Sequence, residues 1–398
     1  MTVREDAAAL RDELVALRRA LHADPEVGLH LPRTRDRVLA AVDGLGLEVR
    51  TGSAVTSVTG VLRGGRPGPT VLLRGDMDAL PMRENTGLPF ASRTGDTMHA
   101  CGHDLHTAML VGAARLLAAR RAELAGDVVF MFQPGEEGWN GAQHMIDEGL
   151  FEASGSKPVA AYALHVRSAG LASGVFSARA GTMLSAADGL HVVVRGRGGH
   201  GSQPHLAKDP VPVACEMVLA LESALTRAIN VFDPVVLTVG NFHAGTQRNI
   251  IPDTARFEAT VRSFSPQAQA RIEEVAVEVC RGVAAAHGVE VDVEYRREFP
   301  MTINDDVEAE FAASTVREVF GEQHYQPLDQ PWQASEDFSL VLNEVPGAFV
   351  FLGACPPGLD PATAPNNHSP VVDFDESVLP EGAALLAELA IRRLAAER

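Results

Sequence analysis

Cys101 and His103 lie two residues apart in the run His99-Ala100-Cys101-Gly102-His103-Asp104-Leu105-His106. In an extended loop, residues i and i+2 project to the same side. One thiolate and one imidazole would then face a common point, a pairing that suits zinc and its first-row neighbours. A buried cysteine beside a histidine is also compatible with plain packing. A second cluster, Gln133-Pro134-Gly135-Glu136-Glu137-Gly138, follows an apolar run. Taken alone, the Glu pair reads as a solvated turn. At the end of a strand it reads as part of a site, because ligands of open α/β sheets collect beyond the carboxyl ends of the strands. A third segment, Arg74-Gly75-Asp76-Met77-Asp78, places two carboxylates on one face if it is extended, and one of them could hold the far ring nitrogen of a metal-bound histidine. His165 and His368 each follow an apolar run and could equally be structural. Together, Cys101, His103, Glu137, His165 and His368 offer sulfur, nitrogen and oxygen donors, enough for two metals bridged by one ligand. Two metals about 3.5–4 Å apart hold a hydroxide and polarise a carbonyl. Glu136 cannot bind in the same way as its neighbour Glu137, so it is the better general base.

A further set lies later in the chain. Arg195-Gly196-Arg197-Gly198-Gly199-His200-Gly201 contains Gly-x-Gly-x-x-Gly after a strand-like run. No helix follows directly, as a dinucleotide site requires. A mobile loop carrying His200 as a donor to developing oxyanion charge is the better reading. Asn249 and Arg262 are candidate contacts for a substrate carboxylate, Arg262 with a surface ion pair as its alternative. The nucleophile elbow, the phosphate loop and the His-Glu-x-x-His motif are all absent from the sequence.

These residues need a scaffold. Strand-like runs at Ser57–Leu62, Thr70–Arg74, Asp127–Phe132, Val159–Val166 and Ala348–Gly353 alternate with helical patterns at 3–22, 104–121, 140–149, 305–320 and 376–396. That rhythm predicts a mainly parallel α/β sheet with helices on both faces. Residues 186–297 differ: strand, helix opened by Asp209-Pro210, two strands, helix opened by Ser265-Pro266, strand. This is the split βαβ pattern of a ferredoxin-like sandwich. The expected organisation is a catalytic domain of residues 1–185 and 298–398, with 186–297 inserted as an α+β lid.

The 398 residues carry 34 Lys+Arg against 52 Asp+Glu, a net charge of −18. That balance argues against nucleic acid and anionic membrane surfaces as partners. Four dispersed cysteines are no disulfide framework, which fits a reducing, cytoplasmic setting. The sequence shows no signal core and no membrane span.

The chain resembles a dinuclear metallopeptidase family, the aminoacylases and carboxypeptidases of peptidase family M20. Within it, the chain is most similar to the N-acyl-amino-acid amidohydrolases, which include hippurate and auxin-conjugate hydrolases. The resemblance rests on Arg19–Glu26, Gly75–Pro81, His99–Ala108, Gln133–Gly138, His200–His205, Asn249–Pro252, Ser335–Phe338 and Asn367–Pro370. It departs at His30, Leu105 and Gly135, where Glu, Gly and Ala are usual; none is a proposed ligand. It implies two divalent ions, Mn or Zn with Co or Ni as options, bridged by Cys101 and held by His103, Glu137, His165 and His368. Glu136 would be base and proton shuttle, Asp78 the supporting aspartate, and His200 the oxyanion contact from the lid, through which many members form homodimers. The expected reaction is hydrolysis of small N-acyl amino acids by a metal-bound hydroxide. A dipeptidase of the same family and a metal-binding protein without turnover are the alternatives.

Overall fold

The computed structural model describes residues 2–396. They form two compact units, one comprising residues through Met183, Ile303–Gln330 and those from Asp337 onward, the other Leu184–Thr302 with Pro331–Glu336.

The first unit is built on a seven-stranded sheet. Its strand order is Glu48–Thr51, Val58–Leu62, Ala125–Gln133, Arg66–Asp76, Ala160–Arg167, Gly347–Gly353, Phe176–Ser177. The four inner strands from Ala125–Gln133 to Gly347–Gly353 run parallel, and antiparallel strands close both sides. Parallel strands covered on both faces read as apolar runs rather than alternations. Val71, Leu72 and Leu73 are accordingly buried, as are all seven residues of Gly347–Gly353. All four parallel strands present their carboxyl ends to one edge of the sheet.

The helix His103–Ala119 runs back through the core with nearly every residue buried. It lies against the helix Leu379–Ala396 at a separation that leaves no room for a side chain at Gly112: an added Cβ would sit 2.7 Å from the Ala383 Cβ. The single helix expected over residues 3–22 is instead two, Val3–Ala9 and Arg11–His22. At Leu10 (φ −84°, ψ −4°) the chain tightens to a three-residue spacing, Leu10 N–H to Ala7 O at 3.0 Å, which ends the first helix. Among the described residues, no helix is long and apolar enough to cross a membrane.

The second unit has a four-stranded antiparallel sheet in the order Val235–Ala244, Thr254–Ser263, Ala186–Arg195, Glu290–Phe299. With helices Pro210–Ala228 and Pro266–His287 this is the expected ferredoxin-like arrangement. Both helices open on a side-chain cap followed by proline: Asp209 accepts from Val211 N–H and Ser265 from Ala268 N–H, each at 3.0 Å. Leu190, Val192 and Val194 alternate inward to meet Met217, Leu221 and Ile272.

Candidate metal centre and active site

Five donor groups collect beyond the carboxyl edge of the parallel strands. The ligand atoms of Cys101, His103 and His165 lie within 4.8 Å of one another, and so do those of Cys101, Glu137 and His368. Two triads therefore share Cys101. Its Sγ is 3.4 Å from His165 Nε2 and 3.3 Å from His368 Nε2, and His368 Nε2 is 3.0 Å from Glu137 Oε1.

The histidines are aimed by their far nitrogens. His103 Nδ1 lies 2.9 Å from the Asp78 carbonyl oxygen, and His165 Nδ1 lies 2.9 Å from the Val166 carbonyl oxygen. A carbonyl only accepts, so Nδ1–H donates in each ring, and the lone pair of the neutral ring falls on Nε2. His103 Nε2 is buried without a hydrogen-bond partner. An unpaired buried polar atom costs about 1–3 kcal/mol, and a cation held by Cys101, His103 and His165 would relieve it. Electrostatics point the same way. Burial opposes charge on His103, yet the Asp76 carboxylate and Cys101 hold its pKa well above the usual histidine range. Contacts with Cys101 and Glu137 raise His368 to about 10. Burial also opposes ionisation of Glu137, but His368 and His103 hold its carboxyl below the ordinary range. The centre attracts positive charge, and its sulfur, imidazole and carboxylate donors fit first-row divalent ions.

Cys101 and His103 do not meet by extended alternation, as the spacing suggested. Cys101 lies in a turn, and His103 is the first residue of its helix. Gly102 joins them at φ 85°, and a Cβ there would meet Val166 Cγ2 at 2.3 Å. The sharp turn brings Sγ and the ring together.

Asp78 has two functions, one of them unexpected. Its main chain, rather than its carboxylate, holds His103. The carboxylate, 3.5 Å from His103 Nδ1, accepts the backbone N–H groups of Glu136 and Glu137 at 2.9 and 3.0 Å. Glu136 is buried, with Oε2 3.9 Å from His103 Nε2. One aspartate thus sets the loop that carries both glutamates.

Sequence reasoning missed the layer beneath. His106 Nδ1 donates to Asp76 Oδ1 at 2.6 Å, and its Nε2 accepts the Val166 N–H at 2.8 Å. Both ring nitrogens are occupied by protein, so His106 supports His165, 4.6 Å away between ring centroids, rather than joining the donors. Asp76 is also paired with the fully buried Arg74 (Nη1–Oδ2 2.6 Å), whose Nε donates to Gln133 Oε1 at 2.9 Å. Gln133 Nε2 in turn donates to Asp337 at 2.6 Å. The available signals were an arginine ending the run Val71-Leu72-Leu73 and the i,i+3 spacing of His103 and His106 on one helical face.

In the second unit, Gly199–His200 is not a free loop. It pairs with Ile250–Ile251, His200 opposite Ile250, because a glycine-rich backbone must find partners for its polar groups. His200 is exposed; its Nδ1 accepts the Ser202 N–H at 3.2 Å, leaving Nε2–H as an outward donor. Gly201 N–H donates to the Asn249 carbonyl at 2.9 Å, so Asn249 adjoins His200. Arg262 is half-buried and tied to its own strand, to Thr260 Oγ1 at 2.7 Å and Val261 O at 3.0 Å.

Known proteins share this architecture. The model of peptidase family M20/M25/M40 matches residues 72–392. Thermostable carboxypeptidase 1 of Saccharolobus solfataricus is 33% identical over 394 residues, covering 98% of both chains. Hippurate hydrolase of Campylobacter jejuni is 34% identical over 385 residues, 97% of both. Among solved structures, a dinuclear metal-binding M20 peptidase of Bacillus subtilis matches with a TM-score of 0.83 at 30% identity, covering 97% of this chain and 99% of that one.

Proposed function

The chain belongs to peptidase family M20/M25/M40, a family of metal-dependent hydrolases, and from that premise we propose that it cleaves the amide bond of small N-acyl amino acids. The observation that carries this reading is the pair of donor triads sharing Cys101, with Glu136 beside them. Cys101, His103, Glu137, His165 and His368 would hold two divalent ions, Mn or Zn in preference to Co or Ni. When bound, these ions supply Lewis acidity toward a water and the scissile carbonyl.

The chain's own residues do the rest. Glu136 takes a proton from the attacking water as oxygen adds to the amide carbon. It then gives that proton to the departing nitrogen as the C–N bond breaks, leaving a carboxylic acid and a free amino acid. His200 Nε2–H would donate to the developing oxyanion. Asn249 and Arg262 would contact the substrate carboxylate. Because Arg262 already donates to Thr260 and Val261, Asn249 has the stronger claim.

Hippurate hydrolase is named for an N-acyl glycine, and a carboxypeptidase releases the residue that carries the free carboxylate. Both names describe cleavage on the acyl side of an amino acid. The test is a panel of hippurate, N-acetyl amino acids and free-amino dipeptides, offered to protein reconstituted with each metal. Hydrolysis of the acylated compounds is expected. Turnover of dipeptides alone would point to the dipeptidase reading, and full metal occupancy without any hydrolysis would overturn both. Sedimentation of the same samples tests the homodimer expected through the inserted unit.

A further inference from the structure

We propose that Asn367 is a positioning residue that locks three ligand-bearing segments into one geometry; this rests on the ligand reading above. Its carboxamide lies where the segments carrying Cys101, His165 and His368 meet. Nδ2–H donates to the Cys101 carbonyl at 3.1 Å and to the Val166 carbonyl at 3.0 Å. Oδ1 accepts the Ser168 N–H at 3.1 Å and lies 3.0 Å from the Ser168 hydroxyl. Two acceptors on one side and a backbone donor on the other leave a single orientation for the amide. Neither aspartate nor leucine of similar size reproduces it, since only a carboxamide both donates and accepts here.

Both donated bonds act on a ligand. The Val166 carbonyl that Asn367 holds also receives His165 Nδ1–H, so Asn367 fixes the acceptor that aims the His165 ring. The Cys101 carbonyl belongs to the residue shared by both triads. His368 is the next residue in the chain, and its backbone is left-handed at φ 68°. It stands third in a four-residue turn closed by Ser369 N–H to Asn366 O at 3.1 Å, a place that usually takes glycine. A histidine holds that conformation only where its surroundings impose it. His368 N–H to Ala100 O at 2.9 Å pins it from one side, and the Asn367 amide from the other.

The experiment is chelator competition for Zn2+ or Mn2+ on purified, folded Asn367→Asp and Asn367→Ala, with Asn366→Asp as the control for charge on the exposed neighbour. Both Asn367 variants should bind about 10–100-fold more weakly, and Ser168→Ala, which removes the hydroxyl that touches both Oδ1 and the Pro365 carbonyl, should weaken binding in the same direction by less. Asn366→Asp should match the parent. Parent-like affinity in Asn367→Ala overturns the proposal, as does equal loss in Asn366→Asp. A parent protein that binds no ion at all overturns the ligand reading itself, an outcome distinct from either.

Discussion

The Asp78 carboxylate accepts the backbone N–H of Glu136 at 2.9 Å, with its second oxygen on Glu137 N–H at 3.0 Å. The proposed base and a proposed ligand are therefore oriented by one side chain from another strand end, while the same residue's carbonyl aims His103. Asp78→Asn keeps one acceptor but turns an NH2 group toward the other N–H. Turnover should fall by about 10²-fold or more, and metal should bind about 10–100-fold more weakly. Steady-state kinetics beside metal titration checks this; a variant with parent kcat and full metal would show that the loop holds itself.

Glu136→Gln removes the proton carrier without altering the donors of either triad. Two bound ions should remain while kcat drops by roughly 10²–10⁴-fold, the usual range for losing a general base. Elemental analysis and kinetics on one preparation decide the matter, and unimpaired turnover would remove Glu136 from the mechanism.

Metal removal should abolish hydrolysis, and re-addition should restore it. Cys101 belongs to both triads, whereas His165 and His368 belong to one each. Cys101→Ala should thus lower occupancy at both positions, and His368→Ala mainly at one. Stoichiometry from dialysed samples tests the difference; full occupancy in Cys101→Ala would reduce Cys101 to a packing residue.

His99 is buried with neither ring nitrogen hydrogen-bonded, and burial lowers its pKa from 6.5 to about 3. The folded value lies below the unfolded one. Its contribution to stability is therefore complete above pH 6.5 and is lost as pH falls toward 3, because the unfolded chain takes up the proton first. Thermal midpoints measured between pH 7 and pH 4 should decline, and His99→Phe should flatten that decline. An unchanged slope in the variant would assign the acid sensitivity elsewhere.

Much of this site was legible along the chain because the relevant patterns are local. Apolar runs marked the parallel strands, and the chemistry-bearing residues followed those runs, where an open sheet collects ligands. Cap-and-proline pairs at Asp209-Pro210 and Ser265-Pro266 marked both helices of the second unit, since the orphan N–H groups of a helix start need such side chains. His106 and Asn367 stand within the same motifs as the donors, but nothing in their spacing marks their role. Their importance lies in bonds to Val166, 60 and 201 residues away, which no spacing encodes.

By itself, the sequence determined which groups were available: one thiolate, three imidazoles and two carboxylates of suitable chemistry, near elements whose periodicity declared their type. Tertiary structure decided how each group is used. His103 and His106 sit one helical turn apart with the same ring, but only His103 has an Nε2 left unpaired. Asp76 and Asp78 are two residues apart with the same carboxylate; one neutralises the buried Arg74, and the other sets the backbone of two glutamates. Side-chain identity fixes what a group can donate or accept. Its partner is fixed by close packing of strands distant in sequence, and that partner selects the role.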